Sequence, residues 1–110
     1  MVGKFEWYER STWTPEDKAD FQARLKRSRG SFNKAKYLRL QALALQDAGT
    51  EALLQAAVEL LDQLLRDCPD SSLLTSTYQQ RAECLADLGR YDEALANYQA
   101  AFEAQRQAPN

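Results

Sequence analysis

The chain of 110 residues contains no histidine. That removes the usual general base at neutral pH, every Ser-His-Asp or Cys-His arrangement, and most catalytic zinc sites. Glycine is nearly as scarce. Gly3, Gly30, Gly49 and Gly89 are the whole supply, too scattered to build a phosphate-cradling loop. Only three prolines interrupt the chain, and no run approaches the ~18 uncharged apolar residues that a membrane span requires. Two cysteines, Cys68 and Cys84, lie outside any CxxC context and fall on apolar helical positions. They read as small buried hydrophobes rather than as a disulfide or half of a zinc site. The expectation is a chain that is not an enzyme and has no metal, no cofactor and no membrane span. Residues 1–10, MVGKFEWYER, have no apolar signal region, which with reduced thiols suggests a cytoplasmic address.

What is present is a hydrophobic fraction of 45% and a charged fraction of 27%, the balance of one ordinary globular domain rather than of a disordered chain. The net charge of −2 hides an uneven distribution. Residues 1–40 carry ten Lys/Arg against five Asp/Glu, +5, whereas residues 41–110 carry four against eleven, −7. The basic run Arg24, Lys26, Arg27 and Arg29, with Phe21 and Phe32 nearby, raises an alternative reading as a nucleic-acid-associated accessory module using this N-terminal helix. A pI near 5.1 favours a solvated helix end instead.

Five helices follow from punctuation and periodicity. Thr14-Pro15-Glu16-Asp17 supplies a capping hydroxyl, a proline where its missing N–H costs nothing, and two carboxylates at the positive end of a helix dipole. That helix is expected to run to a stop at Gly30, with a thin stripe of Ala19, Phe21 and Leu25. Gly49, Pro69 and Gly89 then cut out helices at about 34–48, 51–68, 72–88 and 91–107, the second of these with the widest apolar face. Short loops make consecutive helices antiparallel neighbours. An internal repeat is visible: Leu38, Ala42, Leu45 and Gly49 recur forty residues later as Tyr78, Ala82, Leu85 and Gly89. The second helices align at thirty-seven, with Ala57, Leu61 and Leu64 becoming Ala94, Tyr98 and Ala101.

The stretch 78–101, YQQRAECLADLGRYDEALANYQAA, resembles a tetratricopeptide repeat, and residues 35–69 resemble a degenerate copy; the segment 35–108 is also similar to the amino-terminal part of uncharacterised bacterial tetratricopeptide proteins. Arg81 stands where that family has leucine, and Arg106 where it has the closing proline. The resemblance implies an all-α fold of antiparallel helical hairpins stacked as a short right-handed superhelix. Its two hairpins would be 35–69 and 75–108 within a region 33–110. Residues 1–32 would be an aromatic lead-in, Phe5, Trp7, Tyr8 and Trp13, followed by a capping helix.

The function so implied is a non-catalytic protein–protein interaction scaffold that binds a peptide or protein partner, self-associates, or does both. In this family the first helix of each pair lines a concave, partner-binding face. Carried over, that face is Lys36, Arg39, Leu43, Gln46 and Asp47, then Ser76, Gln79, Glu83, Ala86 and Asp87. Leu43 stands where a carboxylate-clamping asparagine would be needed, so no such clamp is expected. For any one of these residues, an ordinary solvated face is the simpler reading. Tyr98 and Phe102, on the last helix, are the candidates for self-association, a homodimer being one way to cover them.

Overall fold

A computed structural model describes residues 6–107, which form five α-helices: α1 Pro15–Arg27, α2 Ser31–Ala48, α3 Glu51–Asp67, α4 Leu74–Asp87 and α5 Tyr91–Gln107. Several of these boundaries have a local reason. At α1 the Thr14 hydroxyl accepts from the Asp17 N–H at 3.1 Å while the Asp17 carboxylate accepts from the Thr14 N–H at 3.1 Å. This reciprocal box satisfies two backbone donors that a helix start otherwise leaves open. Thr50 caps α3 through the Leu53 N–H at 3.2 Å. Gly49 and Gly89 both take φ +79°, the left-handed turn that ends α2 and follows α4, a conformation that costs an L side chain about 1 kcal/mol or more.

Two boundaries differ from expectation. The first helix stops at Arg27, and Gly30, with φ +85° and ψ 141°, serves as the entry to α2 rather than the exit from α1. As a result α2 begins at Ser31, about one turn earlier than the apolar spacing suggests, because Ser31, Phe32 and Asn33 form an exposed first turn that carries no core signal. At α4 the cap position is Leu73. The Ser71 hydroxyl instead accepts from the Leu73 N–H at 3.0 Å and shapes the turn after Pro69.

The helices pack as antiparallel neighbours in chain order from α2 to α5, with α2 also lying beside α4. Apolar stripes at three- and four-residue steps make this arrangement, since each helix has one face to bury. Helix α3 is the centre: Leu54, Ala57, Val58, Leu60, Leu61 and Leu64 are all buried. The repeated small residues sit where helices approach closely, with Ala42, Ala57 and Ala82 fully buried and Ala94 nearly so. Cys68 and Cys84 are free thiols within the same core. Burial pushes the Cys84 thiol up to about 12.

The lead-in is built into this core. Trp7 lies 5.3 Å from Phe21 and 4.8 Å from Tyr37 between ring centroids, Tyr8 lies 4.7 Å from Tyr37, and Trp13 lies 5.5 Å from Phe21. Trp7 and Trp13 are thus internal anchors, and Phe21 is fully buried among them. Phe5 lies outside the described residues, as do Ala108, Pro109 and Asn110. No helix among the described residues is long and apolar enough to cross a membrane.

Candidate functional site

Polar side chains tie helices two apart in sequence. Gln80 is buried and reaches α2 twice, accepting from Arg39 Nε at 2.9 Å and donating to the Arg39 carbonyl at 3.1 Å. Gln22 and Gln63 exchange amide hydrogen bonds of 2.8 and 3.0 Å between α1 and α3. Both pairs are separated by 41 positions. Fully buried Gln41 does the corresponding work for the lead-in, accepting from the Arg10 N–H at 3.1 Å and donating to the Arg10 carbonyl at 2.8 Å. A buried amide left unpaired would cost about 1–3 kcal/mol, so these bonds fix which helix turn meets which.

The Arg39–Gln80 link ties α2 to α4. On α2, Lys36, Arg39, Leu43 and Gln46 follow one another at steps of three, four and three along the helix. Lys36 is half-buried, its ammonium 5.2 Å from the Tyr37 ring centre. Arg39 is committed to Gln80 and Gln46 is half-buried, its side-chain oxygen finding no donor among the described residues. Leu43 is exposed and lines a shallow depression of about 270 Å³ with Leu40, Ala44, Asp47 and, from the lead-in, Glu9. On α4, Gln79, Glu83 and Asp87 are exposed, while Ser76 and Ala86 are half-buried. The structure therefore brings Arg39 to α4 directly and places Leu43 toward the lead-in. Glu9 could not be foreseen as a wall of this depression, because the sequence carries no periodicity before Thr14.

Arg81, the departure from the expected leucine, is a junction. Its guanidinium bonds Asp62 of α3 at 2.7 Å and Asn97 of α5 at 3.1 Å. Asn97 also donates to the Glu93 carbonyl at 2.8 Å, so its amide is satisfied at both ends. Arginine here exchanges an apolar contact for a bond to each of two helices. At the N-terminal end, Arg10 bonds both Asp17 and Asp20. The Thr12 hydroxyl and Thr14 N–H, with Arg10, hold the Asp17 carboxyl down at about 2. Arg10 and Arg24 lower Asp20 as well, and Arg90 lowers Glu93 through a two-pronged contact of 2.7 Å on each arm. Of the basic run, Arg24 is engaged with Asp20 at 2.9 Å, and Lys26, together with Lys34 of α2, lines an open cleft of about 590 Å³ between α1, α2 and α3.

The second candidate surface is the outer side of α5. Tyr98 is 44% and Phe102 64% exposed, and they share that side with Tyr91 at 70% and Leu95 at 57%. Tyr91 and Leu95 are additions to the expected pair, and the signal for them was present: steps of four, three and four from Tyr91 to Phe102. Among the described residues no group of three His, Cys, Asp or Glu side chains comes together to hold a metal ion. No family model, curated protein or solved structure matches the chain.

Proposed function

We infer that the chain is a non-catalytic, tetratricopeptide-like interaction scaffold that receives a peptide or protein segment across its α2/α4 face. The observation that carries this reading is the reciprocal Arg39–Gln80 link, which holds the two helices side by side. Leu43 offers an exposed apolar contact with Glu9 and Asp47 beside it, and α4 adds the exposed Gln79, Glu83 and Asp87. An apolar anchor with a polar rim is the usual anatomy of a protein-binding surface. Basic groups at the start of α2 and acidic groups at the ends of both helices, Asp47 and Asp87, favour a segment whose own charge reverses along its length.

Selection of a random peptide library on the wild-type chain tests the reading. Selected peptides lose affinity by about tenfold or more on Leu43→Asp or Gln79→Arg, with helical content unchanged. A library that yields no binder, or binders indifferent to both substitutions, would sink it. Oligonucleotide binding that falls with salt and with Arg24→Ala or Arg27→Ala would install the nucleic-acid reading in its place.

A further inference from the structure

We propose that the outer side of α5 is a two-fold dimer interface, on which a second copy of this chain lays its own α5 antiparallel. Tyr91, Leu95, Tyr98 and Phe102 form a seam with alternating steps of four and three, the spacing at which large side chains of two helices interlock. All four are well exposed. Taking ~150–250 Å² for a fully exposed aromatic, they leave roughly 450 Å² of apolar surface in water, toward the upper end of what a monomer carries. Two such seams face to face cover about 900 Å², and the residues beside them bring the total to the size of a small stable interface.

The occupant is argued from the interior of the molecule. Thirty-seven positions earlier, α3 carries the same seam as Leu54, Val58, Leu61 and Leu65, of which the first three are buried. This geometry is therefore one that the fold already uses to bury helix against helix. A second copy cannot continue the stack head to tail. The receiving side at the other end is already filled: Gln41 holds the Arg10 backbone, Trp7 packs on Tyr37, and Phe21 is fully buried. The seam meeting itself is an isologous and self-limiting contact between identical chains. Charge sets its direction. Helix α5 starts with Asp92 and ends with Arg106. Antiparallel pairing brings the acidic start of α5, Asp92 and Glu93, toward the end where the second copy carries Arg106, which pairs with Glu103 of its own helix, and it opposes the helix dipoles; parallel pairing sets the two acidic starts side by side.

Sedimentation equilibrium of the full chain, from about 1 to 500 µM, is expected to show monomer and dimer with a Kd in the micromolar range. Phe102→Asp and Leu95→Lys, both at exposed positions where circular dichroism should report an unchanged fold, each weaken association by about 100-fold. Asp92→Arg weakens it by about threefold, and adding Arg106→Asp restores it. A chain that stays monomeric throughout overturns the proposal, as does a dimer indifferent to Phe102→Asp and Leu95→Lys. Growth beyond the dimer overturns the closed two-fold arrangement, and failure of the charge exchange to restore association overturns the antiparallel direction.

Discussion

Helices α3 and α5 carry the same stripe at the same spacing, yet one is the centre of the molecule and the other its outer wall. Leu61 is fully buried where Tyr98 is 44% exposed, and Val58 is 2% exposed where Leu95 is 57%. The difference is not in the helices but in their neighbours: α3 has α2 on one side and α4 on the other, whereas among the described residues α5 packs chiefly on α4. The same pattern of apolar residues stabilises a fold or offers a surface according to what lies next to it.

Four sets of substitutions and one chemical probe sharpen or break that comparison. The largest contrast pairs the two ends. Phe21→Ala should cost about 3–5 kcal/mol, since it empties the fully buried centre of the aromatic cap, while Phe102→Ala should change the monomer by no more than about 0.5 kcal/mol. Urea unfolding at a concentration low enough to keep the chain monomeric measures both, and similar costs would mean that α5 is covered. The aligned pair is next: Leu61→Ala is expected to lose about 2–5 kcal/mol and Tyr98→Ala under about 1 kcal/mol.

A smaller effect is expected at the junction between the hairpins. Arg81→Leu, which restores the residue expected from the repeat, leaves the Asn97 side-chain oxygen without its arginine and should destabilise by about 1–3 kcal/mol. Adding Asn97→Leu should recover part of that loss, and a stabilising single change would show that the polar junction is dispensable.

Acid should also weaken the N-terminal box. Asp17 titrates at about 2 in the folded chain against a usual value near 4, so its contribution is full above about pH 4 and disappears as pH falls toward 2. Asp17→Asn should flatten the stability profile across that window while leaving the slope due to Glu93 at α5 in place. Thiol chemistry gives the mildest readout. Cys84, buried and held at about 12, should react with a thiol reagent at pH 8 only as fast as the chain opens.

Most of the helical framework is legible in the sequence because it is written in short-range chemistry. Thr14, Gly49, Thr50 and Gly89 act at the positions their side chains or their freedom at positive φ suggest, and α5 spans the expected residues. The start of α2 was hidden because Ser31–Asn33 are exposed and carry no periodicity, and Gly30 suits an exit and an entry equally well. The candidate face is half legible. Helical spacing predicts that Gln79, Glu83 and Asp87 share a side, but the partner of Arg39 lies 41 positions away and the half-burial of Gln46 depends on packing, which no local pattern encodes. Arg81 was visible as an oddity, but its two partners were not.

The amide links also bear on how the chain comes apart. Among the described residues, no side-chain hydrogen bond spans more than 41 positions, about the length of one helical pair. Such short reach means that folding needs no early meeting of distant segments and proceeds by adding one hairpin to the last. It also means that the outer pair, α4 and α5, can open while the aromatic end stays closed. Backbone amides of α5 should then exchange with solvent sooner than those of α3, and a second copy seated on α5 would slow that exchange most at the end where the molecule is least secured.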